Sequence, residues 1–164
     1  MKIRKIELND SENFLNMLKQ LDNETEFMLY EPGERRKTVA DIESFIKSSE
    51  NSNSLLLVVE DDGAIVGFLS ADRGSLNRIK HSAYIVVGIL KTYRSKGLGE
   101  NLFSVMEKWA KESGITRLEL TVIKQNEVGI KLYKKMGFKI EGLKENSILL
   151  NGVYVDEYYM GKLL

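Results

Sequence analysis

Between Tyr84 and Asn101 the chain passes from an apolar run, through two closely spaced glycines, into apolar residues at helical spacing. That passage limits the fold more than any other feature. The run Tyr84-Ile85-Val86-Val87-Gly88-Ile89-Leu90 has the length and β-branched content of a buried strand. Leu98, Leu102, Met106, Trp109 and Ala110 then recur at three- and four-residue spacing, the pattern of an amphipathic helix. A strand therefore runs through a short glycine-bearing loop into a helix. The amides of Gly97 and Gly99 can approach a ligand closely, and the first turn of a helix offers unpaired N–H groups at the positive end of its dipole. An anion, phosphate above all, is the expected guest.

Two glycine-loop motifs fit these residues poorly. A Walker loop needs Gly-Lys followed by Ser or Thr, whereas Gly99 is followed by Glu100. A dinucleotide fingerprint needs a third small residue where Leu102 stands, and it belongs to the first strand–helix unit of a chain. What remains is Arg-x-x-Gly-x-Gly after a strand.

A chain of 164 residues suits one domain, 1–164, with a real core. Its 24 basic and 24 acidic residues cancel, so the overall field draws it to neither nucleic acid nor an anionic membrane. The absence of cysteine removes disulfides and thiolate chemistry and suits a reducing compartment. No metal is expected. With no apolar run near the ~20 residues of a membrane span and no signal-type core after Met1-Lys2-Ile3-Arg4-Lys5, a soluble cytoplasmic protein is expected.

Along the chain, Lys2 to Leu8 reads as a short strand, and Asn9 with Glu12 as a capping box for a helix carrying Phe14, Leu15, Leu18 and Leu21. Asp22 to Lys37, with the only proline, reads as a loop, and a second helix follows Thr38 with Ile42, Phe45 and Ile46 on one face. Leu55 to Glu60 and Ile65 to Ala71 form a hairpin about Asp61-Asp62-Gly63. Asp72 to Lys80 is a polar loop leading into the central strand. Gly114 ends the long helix, Arg117 to Ile123 is a strand, Asn126 to Met136 a helix, and the tail is two strands hinged at Asn151-Gly152. The order β-α-α-β-β-β-α-β-α-β-β is that of an α/β layer fold with a mixed sheet.

The motif Tyr93-Arg94-Ser95-Lys96-Gly97-Leu98-Gly99, followed after a helix and a strand by Asn126-Glu127-Val128-Gly129-Ile130-Lys131-Leu132-Tyr133-Lys134-Lys135-Met136-Gly137-Phe138, resembles the GNAT superfamily of acyl-CoA-dependent N-acetyltransferases. The resemblance covers nearly the whole chain. Ser95, Gly129 and Lys91 stand where family members often carry Gly, Ala and Pro. It implies a mostly antiparallel, twisted sheet flanked by helices and transfer of the acetyl group of acetyl-CoA to a primary amine, on a small molecule or at a peptide or protein N-terminus. A non-catalytic acyl-CoA-binding module is the alternative.

In that family the strand before the glycine loop splays from its neighbour and pairs with the pantetheine arm. Gly88, inside an otherwise ideal strand, marks a bulge or a close approach, so Val87, Gly88 and Ile89 are candidates for the pantetheine and thioester contacts. The amide of Ile89 would polarise the thioester carbonyl. The diphosphate would lie over the amides of Ser95, Lys96, Gly97, Leu98, Gly99 and Glu100, with charge from Arg94 and Lys96 and the Glu100 carboxylate turned outward. Asn126 matches the family asparagine and is also a good helix N-cap. Tyr133 matches the family tyrosine, whose phenol, with an ordinary pKa near ~10 against ~8.5 for a thiol, suits general acid catalysis on the leaving thiolate.

A lysine-like amine is neutral in only about one part in 2,500 at pH 7, so a base or water chain must take its proton. The strand His81-Ser82-Ala83-Tyr84-Ile85-Val86 lacks the glutamate that many family members use. Tyr84 holding a water, Glu119 on the next strand, and Glu31 in the early loop are the candidates. His81 stands far from the loop and reads as surface. Tyr30, Glu31 and Tyr84, with the tail tyrosines Tyr154, Tyr158 and Tyr159, are expected to wall the acceptor cleft. Val153 to Leu163 could expose a strand edge for homodimerisation.

Overall fold

A computed structural model describes residues 1–164. Strand β1 (Lys2–Lys5) leads into helices α1 (Ser11–Glu24) and α2 (Val39–Asn51), then strands β2 (Leu55–Asp61), β3 (Ala64–Arg73) and β4 (Ser82–Ile89). Helix α3 (Leu98–Glu112), strand β5 (Arg117–Ile123), helix α4 (Glu127–Lys135) and strands β6 (Lys139–Leu150) and β7 (Val153–Leu163) complete the chain. The strands form one sheet in the order β1-β2-β3-β4-β5-β7-β6. Every pair is antiparallel except β4 with β5, where α3 supplies the crossover that a parallel pair requires.

Local chemistry sets most of these boundaries. Thr38 caps α2 through a reciprocal box with Asp41, and Gly114 takes φ 72° where α3 ends. Asp62-Gly63 and Asn151-Gly152 both take positive φ, as tight hairpins demand. The box expected at Asn9 and Glu12 lies elsewhere. A single turn over Leu8–Asp10 precedes α1, and the reciprocal pair is Glu7 with Asp10, whose carboxylate is held by Arg4 at 2.7 Å.

Helices α1 and α2 pack together on one face of the sheet, and α3 and α4 on the other. Phe14, Leu15, Leu18 and Leu21 bury the inner face of α1, and Leu102, Phe103, Met106 and Ala110 that of α3. Two expectations change here. The β3–β4 register runs unbroken from Arg73↔Ala83 to Gly67↔Ile89, so there is no bulge at Gly88. Glycine is required because a Cβ there would collide with Leu21 Cδ2 on α1 and lie 2.8 Å from Phe68 Cε1. Strand β7, in turn, is flanked by β5 and β6, so the free edge at this end of the sheet belongs to β6 and not to Val153–Leu163.

Candidate active site

Strands β4 and β5 share only three rungs, Ser82↔Arg117, Ala83↔Leu118 and Tyr84↔Glu119, and then part. The Leu90 amide donates to the Val66 carbonyl. In an antiparallel ladder alternate residues face the partner, so this bond turns even-numbered amides of β4 toward β3 and leaves those of Val87 and Ile89 facing β5 beyond the last rung. These main-chain groups line one side of a V-shaped cleft. The Ile89 carbonyl accepts from Arg94 Nε at 2.9 Å, which ties the cleft to the glycine loop.

That loop is built for an anion. Ser95 and Gly97 take φ 60° and 75°, and no main-chain or side-chain acceptor inside the protein takes the amides of Ser95 through Glu100. The first helical bond of α3 comes only at Asn101, whose amide donates to Gly97. Gly97 has open space where a Cβ would stand, so its glycine serves the left-handed backbone, whereas a Cβ at Gly99 would lie 2.8 Å from Leu132 Cδ2 on α4. The Glu100 carboxylate turns away to Lys135 at 2.6 Å, as expected, and the Lys96 ammonium lies 4.9 Å from the centre of the Tyr93 ring. Unpaired amides, a helix start and two cations fit a diphosphate.

Across the cleft, Tyr133 is buried against Phe103 and Phe138, with ring centroids 5.8 and 6.2 Å away. Burial, assisted by the nearby Tyr84 phenol, pushes its pKa up to about 12. Tyr84 bridges the parting strands, its hydroxyl 2.7 Å from Thr121 Oγ1. Asn126 caps α4, its Oδ1 accepting from the Gly129 amide at 3.0 Å and leaving its Nδ2 without a bond inside the protein. A Cβ at Gly129 would lie 2.7 Å from that Nδ2, so the glycine gives this side chain its room.

The acceptor side shows features that spacing alone did not reveal. Glu24, at the end of α1, accepts from the Lys91 amide at 2.6 Å and so joins the early loop to the glycine loop. Although partial burial acts to raise it, the Lys91 and Gln20 hydrogen bonds and the charges of Arg94 and Lys91 hold this carboxyl below the usual range. Asp22, 2% exposed, is gripped by Arg35 through two bonds of 2.7 and 3.0 Å, and Tyr30 lies under the same guanidinium at 4.0 Å. Tyr30 is thus part of a loop clamp, and the exposed Glu31 side chain bonds to no residue of β4 or β5. Glu119 is engaged by Arg117 at 2.9 Å. The tip of the β6–β7 hairpin meets the loop where Asn151 Nδ2 donates to Glu26 at 3.0 Å.

A sheet splayed beside a phosphate-type loop, with a buried phenol across the opening, defines an acyl-CoA-dependent acyltransferase. The model of the acetyltransferase (GNAT) family matches residues 15–138, and the chain belongs to that family. It is an acetyltransferase enzyme whose cosubstrate is acetyl-CoA. An L-amino acid N-acetyltransferase of Escherichia coli is 36% identical over 111 residues, covering 65% of this chain and 67% of that one. A spermidine N(1)-acetyltransferase of the same organism is 30% identical over 162 residues, covering 94% and 81%. The crystal structure of a GNAT-family acetyltransferase from Streptococcus pneumoniae superposes with a TM-score of 0.95 at 31% identity, covering 99% of both chains. No helix is long and apolar enough to cross a membrane.

Proposed function

We propose that this enzyme transfers the acetyl group directly to the primary amine of a small molecule, using the main-chain groups of β4, the glycine loop and Tyr133. The observation that carries this reading is the end of the β4–β5 ladder at Tyr84, which leaves the Val87 and Ile89 amides turned into the cleft beside six further unpaired amides. Acetyl-CoA supplies a thioester whose carbonyl carbon accepts the amine and whose sulfur departs. The amides of Ser95 through Glu100, with Arg94 and Lys96, hold the diphosphate.

The sequence favoured the Ile89 amide for the carbonyl oxygen. The Ile89 amide faces the cleft, as does that of Val87 two residues before it, and such donors contribute roughly 2.7–4 kcal/mol. The pair together serves the thioester and the pantetheine arm.

Tyr133 holds a proton at the point where the sulfur departs. Against ~8.5 for a thiol, a phenol raised to about 12 faces full transfer that is uphill by about 4.8 kcal/mol. It therefore acts as a hydrogen-bond donor that stays with the sulfur, not as an acid that ionises ahead of it.

A small acceptor is favoured because the hairpin tip and the α1–α2 loop meet over this side of the sheet, and a peptide needs a way out for its chain. Both sequence relatives described above are named for small amines. Thiol release from acetyl-CoA, measured over polyamines, amino acids, aminoglycosides and peptides, tests the reading. Turnover is expected with a small amine. Tight acetyl-CoA binding without turnover on any amine would instead make the chain a binding module.

A further inference from the structure

Three side chains stand abreast on the α1 face of the sheet. Asp72 on β3 is opposite Tyr84 on β4, which is opposite Glu119 on β5. At ~4.8 Å between strands, the two carboxylate positions flank Tyr84 and are about 10 Å apart. On this face of the four central strands, Glu119 is engaged by Arg117 and Glu157 by Lys144. Asp72 alone makes neither an ion pair nor a hydrogen bond. Two residues along β3, toward the mouth of the cleft, the same face carries the buried Ser70 opposite Val86.

We propose that Asp72 is the base that takes the proton from the acceptor amine, directly or through one water shared with the Tyr84 or Ser70 hydroxyl. This deepens the acetyl-transfer reading and rests on it. An ammonium loses two protons on the way to the amide. One N–H proton passes to the Asp72 carboxylate and on to solvent. As the C–N bond forms and the C–S bond breaks, the second N–H proton leaves to solvent by the same carboxylate, and the departing thiolate, held by the Tyr133 hydroxyl, takes one proton back from solvent.

The surroundings suit the task. Asp72 is open to solvent, which gives its proton a way out, and the desolvation that neighbouring groups still impose raises its carboxyl above its ordinary range. Its cross-strand neighbour is Tyr84, whose hydroxyl turns to Thr121 on β5, and one strand further lie Glu119 and Arg117, which also binds Glu141. On its own strand Arg73 is spent on the Lys80 carbonyl, and no charged side chain of β2, α1 or α2 bonds to it. Glu119 by contrast is already engaged, its carboxylate held by Arg117 at 2.9 Å.

The test compares Asp72→Asn, Asp72→Glu and Glu119→Gln with the native enzyme, on an amine that the native enzyme turns over. The readouts are kcat/KM from pH 6 to 10 and acetyl-CoA affinity by calorimetry. For Asp72→Asn we expect kcat/KM at pH 7 to fall about 10²–10³-fold. The deficit should shrink about tenfold per pH unit as the amine deprotonates unaided, with acetyl-CoA affinity within twofold of native. Asp72→Glu should regain most of the loss and covers the case in which the asparagine variant folds poorly. A deficit that stays constant across pH, or a pH-dependent deficit in Glu119→Gln and not in Asp72→Asn, overturns the assignment. A native enzyme that binds acetyl-CoA but turns over no amine defeats the functional reading, and this inference with it.

Discussion

The hydroxyls of Tyr84 and Thr121 meet at 2.7 Å across the two parallel strands, just beyond their last rung. The bond holds the apex of the V while the strands diverge, and it keeps the Tyr84 phenol beside Tyr133. A neutral hydrogen bond contributes about 0.5–1.5 kcal/mol, and the partial exposure of Tyr84 places this one toward the lower end. Thr121→Val and Tyr84→Phe should each destabilise the fold by about that much in urea, and the double variant by no more than either single one. Strictly additive losses would show that the two hydroxyls do not act together.

Tyr133 carries a pH signature. Its pKa of about 12 in the fold, against ~10 in the unfolded chain, means that the native state keeps a proton the unfolded state has lost. The raised value therefore leaves stability intact below pH ~10 and erodes it as pH climbs toward 12, by about 1.4 kcal/mol at pH 11. Tyr133→Phe should abolish that part of the alkaline loss. It should also lower kcat while changing acetyl-CoA affinity little. Ultraviolet titration is a second check: Tyr133→Phe should remove one phenol from the most alkaline part of the curve.

Features that depend on a few neighbouring residues were readable from the sequence. The Thr38 cap, the Asp62-Gly63 and Asn151-Gly152 turns, the glycine loop and the strand–helix order all follow from local preference and periodicity. What escaped was set by distant partners. A glycine inside a strand looks the same whether it relieves the strand or a helix 67 residues earlier, and Gly88 answers to Leu21. Asp72 and Arg73 read as loop because they are polar, yet pairing with Tyr84 and Ala83 draws them into β3 and sets Asp72 beside the cleft. Likewise, nothing in β7 itself says that β5 will pair with one edge and β6 with the other.

The two loop glycines should fail in different ways. Gly97→Ala meets no atom but must hold φ 75°, a strain of about 1–2 kcal/mol, so it should weaken acetyl-CoA binding and leave kcat at saturation nearly unchanged. Gly99→Leu drives against Leu132, the neighbour of Tyr133, and should abolish acetyl-CoA binding. Gly99→Ala is the informative case, losing both affinity and kcat, with Leu132→Ala in the same chain restoring part of each. Ser95→Gly relieves a left-handed serine and should bind acetyl-CoA at least as well as native. Calorimetry with acetyl-CoA and steady-state kinetics separate these outcomes.

The clamp of Arg35 on Asp22 should govern the acceptor and not the cofactor. Its carboxylate is almost fully buried, and the guanidinium closes on it with two bonds while covering Tyr30, so one side chain shapes the whole α1–α2 loop. Arg35→Met keeps much of the side-chain volume but leaves the carboxylate buried and unpaired, a defect that costs about 3–5 kcal/mol. Asp22→Asn with Arg35→Met removes the charge as well and should recover much of that stability. The glycine loop lies outside the clamp, so acetyl-CoA affinity should stay close to native in any folded variant, while KM for the amine rises. A variant whose amine KM is unchanged would show that the loop does not form the acceptor wall. One that loses acetyl-CoA affinity instead would show that the clamp acts through Glu24 and its bond to the Lys91 amide.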